Sequence, residues 1–214
     1  MPDVTRALLL YRYRRLRKAR EAAQREGLHG AMFPWQSGSD GREESQRVHL
    51  NPRSGRWVPD HSWRQRHVNA AIACNVWQYY EVTADHEFMY FYGAELLVEI
   101  ARFWASIAQW DRADRRYHIR GVMGPDEYHT HYPGRDPAQQ GGIDNNAYTN
   151  VMAAWCLVRA RDALDLLPAD ARAALCERIG LARDEELAAG TSISRRTVRA
   201  LPRRRHHQPV RGLR

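Results

Sequence analysis

Two adjacent carboxylic acids, Asp126 and Glu127, lie in a glycine-rich loop of the sequence. Pro125 precedes them and fixes one backbone dihedral, and Tyr128 follows as a ring that can shield a neighbouring carboxylate from water. When two acids lie side by side and one is desolvated, its pKa rises far enough for it to donate a proton near neutral pH. The pair therefore predicts a general acid. The alternative is an ordinary Pro-Asp turn whose charges are solvated.

A second loop, residues 33–44, combines an aromatic ring with amide, hydroxyl and carboxylate groups. Trp35 can stack on the C–H face of a sugar, and Gln36 can pair with its hydroxyls. This combination is typical of a carbohydrate site. A structural loop with a packed tryptophan would show the same residues, so the sequence leaves both interpretations open.

Two asparagines, Asn145 and Asn146, come directly before a predicted helix and are followed by Tyr148. They offer several donors and acceptors at one helix end, which suits sugar binding, although asparagine is also a good helix cap. His67 is interpreted as a structural histidine. His129 and His131 have no third ligand at a convincing spacing, so we expect no metal.

The elements that would hold these residues are helices separated by long loops. Apolar spacing and Gly, Pro and Asp boundaries predict five helices, which span residues 3–27, 61–83, from 85 to about 109, 145–167 and 169–179. Asp85 is expected to cap the third helix. Elaborate loops at 28–61 and 110–144 recur after alternate helices, and only residues 117–122 resemble a strand. This order predicts an all-α chain of helical hairpins.

Length, charge and cysteines limit the function classes. The 214 residues suffice for one domain. The eight arginines in residues 195–214 leave 25 of the 33 basic residues against 25 acidic ones, so the net charge of +8 comes from the tail. The chain has no run of about 18 apolar residues and no leader pattern, which predicts neither a membrane span nor export. Cys74, Cys156 and Cys176 are expected to be reduced thiols in a cytoplasmic protein.

Taken in order, these segments resemble glycoside hydrolase family 65, whose inverting phosphorylases and hydrolases act on maltose, trehalose, kojibiose and similar α-glucosides. The resemblance covers roughly residues 3–187 and is carried by six stretches that occur in the family's order: 8–13 (LLLYRY), 30–37 (GAMFPWQS), 65–67 (QRH), 101–104 (ARFW), 121–128 (GVMGPDEY) and 145–153 (NNAYTNVMA).

The resemblance implies a partial (α/α)6 barrel, a six-hairpin toroid, over residues 1–190. It also implies that Glu127 is the general acid, that inorganic phosphate is the co-substrate of a phosphorylase, and that no cofactor or metal takes part. The expected partners are a small α-glucoside and phosphate, with oligomerisation left open for a full-length enzyme. The expected substrate-binding residues are Trp35, Gln36, Asp126, Tyr128, Asn145 and Asn146.

The sequence departs from the family at both ends, which predicts an incomplete barrel and a truncated fragment that is inactive alone. We expect an Arg-rich disordered tail at 191–214. One hypothesis is a frameshift, because codons exist for 197–214 that encode a family-like segment when read one nucleotide later. The alternatives are a basic-tailed helical module that binds nucleic acid, which the neutral body disfavours, and a non-catalytic helical scaffold.

Overall fold

The computed structural model describes residues 1–126, 129–134, 141–181 and 185–197, with the backbone alone for 185–189 and 191. A 3₁₀ turn at Ser62–Arg64 and a π-helical turn at Met89–Gly93 supplement the α-helices. These helices are α1 (Pro2–Arg14), α2 (Leu16–Arg25), α3 (Val68–Thr83), α4 (His86–Phe88), α5 (Ala94–Ile107), α6 (Ala147–Leu166), α7 (Ala169–Ile179) and α8 (Glu185–Arg196).

Helix α5 forms the centre of the core and packs against α3, α6 and α8. Burial of its apolar face removes large side chains from water, which is the main favourable term in folding. The apolar face predicted for this part of the chain is confirmed, because all five of its members are completely buried: Phe88, Leu96, Leu97, Ile100 and Trp104.

The predicted helix boundaries are confirmed where a capping residue marks them. The Asp85 carboxylate accepts a hydrogen bond from the Phe88 amide at 2.8 Å and caps α4. Helix α7 has the predicted bounds and ends at Gly180, whose φ of 63° is the left-handed conformation that glycine adopts readily. Helix α6 ends just before Pro168, which cannot continue a helix.

Asp85 also joins three elements. Its carboxylate accepts from the Tyr79 hydroxyl at 2.7 Å and from the Arg6 guanidinium at 3.2 Å. Burial alone would raise the pKa of Asp85, but the hydrogen bonds from Phe88, Tyr79 and Arg6 outweigh it and hold that pKa below its usual value. The folded state therefore favours the ionised carboxylate.

A buried ion network ties α2 to α5. Arg20 donates to Glu95 at 2.7 Å and to Glu99 at 2.8 Å, and both carboxylates are almost fully buried. Arg102 donates to Glu99, and Arg178 of α7 donates to Glu95. Each buried charge thus has partners, which is the condition under which a charged group is tolerated in a core.

The chain is mostly helical, as predicted, but both loops also contain short strands. Strands β1 (Val48–Asn51) and β2 (Arg56–Pro59) form one antiparallel hairpin, and β3 (Gln109–Asp111) and β4 (Arg116–His118) form another. The predicted strand at 117–122 overlaps only β4. Both hairpins are short, and their residues are exposed or only half-buried, so they lack the buried apolar face that identifies a strand in a sequence.

Two predicted helices are shorter or broken. The helix expected at 3–27 is interrupted at Arg15, which separates α1 from α2. The helix expected at 61–83 becomes regular only at Val68, and the 3₁₀ turn precedes it. Helix α8 runs through residue 190, where the domain boundary was placed, while residues 198–214 of the predicted tail lie outside the described part.

One apolar surface has no partner in the described part of the chain. Val4 and Leu8 of α1 and Val82 of α3 are 51%, 64% and 83% exposed. Such a surface is expected if neighbouring helices of a barrel are missing, although closure of a barrel stays a prediction. Among the described residues we find no helix with the length and apolarity that a membrane span requires.

Candidate functional site

The loop that carries Trp35 is anchored to the core by backbone hydrogen bonds. Ala31 N donates to the Glu99 carbonyl at 2.9 Å, and Met32 N donates to the Ala19 carbonyl at 3.0 Å. Phe33 N then donates to the buried Asn69 side chain at 2.7 Å. These bonds connect the segment to α5, α2 and α3, so the backbone that leads to Trp35 is held in a fixed position near the start of α3.

A carboxylate organises the rest of this loop. Glu43 accepts hydrogen bonds from the backbone amides of Trp35 at 2.9 Å, Gln36 at 3.2 Å and Ser45 at 3.0 Å. Trp35 is half-buried, whereas Gln36 is exposed. The loop is therefore held by its own polar groups and leaves both predicted sugar-binding side chains with a surface toward solvent.

An aromatic cluster joins the first loop to the starts of two helices. The rings of Trp35 and His67 lie 5.4 Å apart, and those of His67 and Tyr148 lie 6.0 Å apart. His67 is the N-cap of α3, and Tyr148 lies in the first turn of α6. Helices α3 and α6 thus begin at the same end of the molecule, where Trp35 also lies.

His67 is 8% exposed, and none of the described residues forms a hydrogen bond with its Nδ1. Burial lowers the pKa of His67, while a hydrogen bond with the Met123 backbone raises it by less. His67 is therefore a neutral imidazole near pH 7.

The second loop approaches this cluster through its N-terminal segment, residues 121–124. Met123 N donates to the Arg64 carbonyl at 3.1 Å, directly before α3. A β-bridge between Val122 and Ile143 joins the two ends of the loop, and Arg64 also donates to the Gly141 carbonyl. The segment that leads to Glu127 is therefore fixed beside His67.

Of the two predicted acids, the structure describes Asp126. The Asp126 side chain is 78% exposed, and its carboxylate lies 3.8 Å from His129 Nδ1. This position matches a solvated turn more closely than a desolvated acid pair. Glu127 and Tyr128 lie outside the described residues, so their predicted roles stay predictions.

Asn145 and Asn146 are occupied by local hydrogen bonds. Asn145 has a φ of 53°, accepts from Ile119 N at 3.3 Å and donates to His118 Nδ1 at 2.8 Å. Asn146 caps α6 by accepting from Thr149 N at 3.0 Å. The capping alternative therefore describes Asn146, whereas Asn145 bonds to Ile119 and His118; contact of either asparagine with a sugar stays a prediction.

One cluster of the described residues has the composition of a metal site. Ligand atoms of Asp111, Asp114 and His118 lie within 4.8 Å of one another. His118 Nδ1 accepts from the Asn145 amide, so the ring proton is on Nε2, which lies 2.8 Å from Asp114. Neither nitrogen of His118 then has a free lone pair, and the cluster does not fit a metal ion.

Sequence reasoning missed His67 and Tyr148 as members of the site. His67 was interpreted as structural, and Tyr148 was noted only as a neighbour of the two asparagines. The available signal was their position within the first two turns of two predicted helices, 61–83 and 145–167, each of which follows an elaborate loop. Since the loops follow alternate helices, those starts share one end of a hairpin array.

Comparison with known sequences decides the family. The sequence profile of the glycosyl hydrolase family 65 central catalytic domain matches residues 1–201. The chain belongs to glycosyl hydrolase family 65. That match includes both loops and all the described helices, and it extends past residue 190 into the predicted tail.

Three of the family 65 relatives that the chain matches are each much longer than this chain. An uncharacterised glycosyl hydrolase of Mycobacterium tuberculosis is 60% identical over 185 residues, which cover 86% of this chain and 14% of that protein. Trehalose 6-phosphate phosphorylase of Lactococcus lactis is 52% identical over 73% of this chain and 20% of its own length. Kojibiose phosphorylase of Halothermothrix orenii is 39% identical over 86% of this chain and 23% of its own length.

A solved structure supports the same family assignment. A protein described as a kojibiose phosphorylase from the human microbiome superposes with a TM-score of 0.74 and 26% sequence identity. The superposition covers 92% of this chain and 25% of that protein. This chain therefore spans about a quarter or less of the relatives it matches.

Proposed function

We propose that this chain contributes a sugar-binding wall and the general acid to an enzyme that cleaves α-glucosyl disaccharides with inversion. The nucleophile is inorganic phosphate, as in the phosphorylases among its relatives. Glu127 is the acid, and Trp35 is the main contact to the sugar. The rest of the catalytic centre would come from parts of the enzyme that this chain does not contain.

The observation that carries this proposal is the cluster of Trp35, His67 and Tyr148 beside the loop that leads to Glu127. A half-buried tryptophan and a tyrosine that is 44% exposed offer ring faces for the C–H groups of a sugar. The neutral His67 adds a hydrogen-bonding group without a charge. Met123, whose amide donates to the Arg64 carbonyl just before His67, precedes the proposed acid by four residues in the sequence, which supports a position of that acid near the wall.

In the proposed reaction, Glu127 protonates the glycosidic oxygen as the bond to the anomeric carbon breaks. Phosphate attacks that carbon from the opposite face, and the products are β-glucose 1-phosphate and the released sugar. No catalytic base is needed, because phosphate arrives as an anion. A hydrolytic relative would need a second carboxyl about 6.5–9.5 Å from the first to activate water.

A matched pair of tryptophan variants tests the sugar-binding part. Trehalose and kojibiose are titrated into the 214-residue chain and into Trp35→Ala and Trp57→Ala, with binding followed by calorimetry. Trp57 lies on β2 and is 68% exposed, so its loss controls for removal of a surface ring. We expect Trp35→Ala alone to weaken binding about tenfold or more. Equal affinities for the chain and both variants would contradict the proposal.

The acid is tested in a longer chain that supplies the rest of the barrel. Glu127→Gln should lower the rate of phosphorolysis by about 10²–10⁴-fold and leave disaccharide binding nearly unchanged. The 214-residue chain alone should release little or no glucose 1-phosphate. A Glu127→Gln enzyme that retains full turnover would remove Glu127 from the mechanism.

A further inference from the structure

A pocket of about 360 Å³ lies between the β3–β4 hairpin and the C-terminal end of α8. Its described lining consists of one acidic residue and four arginines, which are Asp114, Arg115, Arg116, Arg195 and Arg196. Two of these arginines come from the hairpin and two from α8, so segments that are distant in the sequence bring their positive charges to one place. None of these residues belongs to the cluster of Trp35, His67 and Tyr148.

The carboxylate in this pocket already has partners within its own hairpin. One oxygen of Asp114 accepts from the Arg116 backbone amide at 3.0 Å, and the other lies 2.8 Å from His118 Nε2. The neighbouring Asp111 has a cation of its own, since Arg120 lies 3.4 Å from its carboxylate. Within the described part of the chain, the guanidinium groups of the four pocket arginines form no salt bridge, and all four residues are exposed. Even with the charge of Asp114 counted in full, positive charge is in excess.

Backbone contacts hold the two walls of this pocket together. Tyr117 of β4 and Thr197, directly after α8, form a parallel β-bridge. Thr197 is 5% exposed, and its amide and its hydroxyl both donate to the Ile193 carbonyl, at 2.8 and 2.6 Å. The last turn of α8 is therefore fixed beside the hairpin, and the backbone keeps the arginines of both walls close together.

Two aromatic rings lie beside the arginines. Trp110 of β3 and Tyr117 of β4 are cross-strand partners, and their ring centres are 4.9 Å apart. The Arg196 guanidinium lies 5.7 Å from the centre of the Trp110 ring, a contact that orients this long side chain before a ligand arrives. Trp110 is still 39% exposed, so part of its ring is available to a flat group of a ligand.

The charge of the pocket favours an anion that carries several negative groups. Cations that are held close together repel one another, and an anion that binds between them relieves the repulsion. Each guanidinium group can donate two parallel hydrogen bonds to a phosphate. A single phosphate group carries about 1.5–2 negative charges near pH 7 and neutralises only part of the excess. A chain of linked phosphates carries more charge and can reach both walls.

We propose that this pocket binds an oligophosphate, with Arg115 and Arg116 on one side of the phosphate chain and Arg195 and Arg196 on the other. Oligophosphates exist as free inorganic ions and as the phosphate tails of nucleotides. The exposed part of Trp110 can stack on the base of a nucleotide, so we expect a nucleotide to bind more tightly than the inorganic ion. This site does not depend on the proposed function, because an oligophosphate contains no disaccharide.

Calorimetric titration of the 214-residue chain at low ionic strength tests the site with inorganic triphosphate, ATP without magnesium, and inorganic phosphate. We expect inorganic triphosphate and ATP to bind at least about tenfold more tightly than inorganic phosphate, because they engage arginines on both walls. Both affinities should fall as salt is added. If ATP binds more tightly than inorganic triphosphate and Trp110→Ala abolishes the difference, the ligand is a nucleotide. Equal affinities for the two assign the site to inorganic oligophosphate.

Matched variants separate the pocket from the net charge of the chain. Arg116→Gln and Arg195→Gln each remove one cation, from opposite walls, and each should weaken binding of inorganic triphosphate about tenfold. Arg53→Gln removes the same charge from an exposed residue in the turn between β1 and β2 that does not line the pocket, and it should preserve the affinity. Circular dichroism checks that each variant is folded.

Three results would overturn the oligophosphate site. The first is inorganic phosphate that binds as tightly as inorganic triphosphate, which would show a site for a single anion. The second is an equal loss of affinity in Arg116→Gln, Arg195→Gln and Arg53→Gln, which would show a general effect of net charge. The third is a single-stranded oligodeoxynucleotide that binds more tightly than ATP, which would assign the arginines and Trp110 to a nucleic-acid backbone and its bases.

Discussion

Gly30 is the position at which the first loop comes closest to the core, and its replacement tests that anchoring directly. It has a φ of 71°, and a Cβ placed on it would lie 2.2 Å from the Glu99 carbonyl oxygen and 2.5 Å from Phe103 N. Gly27 has the same φ of 71°, but a Cβ there would meet nothing within 4 Å. The pair Gly30→Ala and Gly27→Ala therefore separates backbone strain from steric conflict.

The magnitude follows from the two environments. The left-handed conformation costs an alanine roughly 1–2 kcal/mol at either position. At Gly30 the first loop must also withdraw from α5, which breaks the 2.9 Å hydrogen bond from Ala31 N to the Glu99 carbonyl. A buried group left without its partner costs about 1–3 kcal/mol, and overpacking costs about as much again. We therefore expect Gly30→Ala to be less stable than Gly27→Ala by about 2–6 kcal/mol.

Urea denaturation followed by far-UV circular dichroism measures this difference in the free energy of unfolding. The two variants should have similar dependence on urea concentration, because both change one methyl group. Gly30→Ala should also weaken disaccharide binding, since the same bonds position Trp35. Equal stability of the two variants would refute the reasoning, because it would show that the loop does not need its close contact with α5.

Three further perturbations address the ion network, Asp85 and His67. Arg20→Leu should destabilise the fold by about 3–5 kcal/mol, because it leaves two buried carboxylates short of a cation, whereas Arg17→Leu on the exposed side of α2 should cost less than about 1 kcal/mol in the same urea titration. Since the pKa of Asp85 is depressed in the folded state, its contribution is present above its usual value of 3.8 and is lost as the pH falls below it. The free energy of unfolding should therefore fall less between about pH 5 and 2.5 in Asp85→Asn than in the unaltered chain. An unchanged pH profile would contradict the assigned hydrogen bonds. The depressed pKa of His67 means that the unfolded chain binds a proton first as the pH falls through about 6.5, so stability decreases there; His67→Gln should flatten the profile between about pH 7 and 5, and a profile as steep as that of the unaltered chain would contradict burial of a neutral ring.

The sequence predicts helices well where a single residue marks the boundary. Asp85, Pro168 and Gly180 each restrict the backbone or satisfy an end group by local chemistry, so no knowledge of distant contacts is needed. The break at Arg15 has no such marker. Neither Gly nor Pro is present, and the interruption separates the segment that packs on α3 from the segment that carries Arg20 to α5.

The candidate site was predicted less completely, because its geometry depends on contacts between distant segments. Trp35 was identified by residue type, and it lies in the cluster. His67 was assigned a structural role, since a single histidine in a sequence does not reveal which rings surround it. Asn145 and Asn146 had two possible roles, and only coordinates show that their side chains bond to Ile119, His118 and Thr149. Partners of that kind are set by tertiary packing.

The bridge between Val122 and Ile143 has an evolutionary consequence. It joins the two ends of the second loop, so the span between these two residues is a closed loop whose ends are already held together by backbone hydrogen bonds. Doubling the length of such a closed loop raises the free-energy cost of loop closure by only about 0.6 kcal/mol. Insertions and deletions inside it can therefore accumulate without disturbing helices α3 and α6.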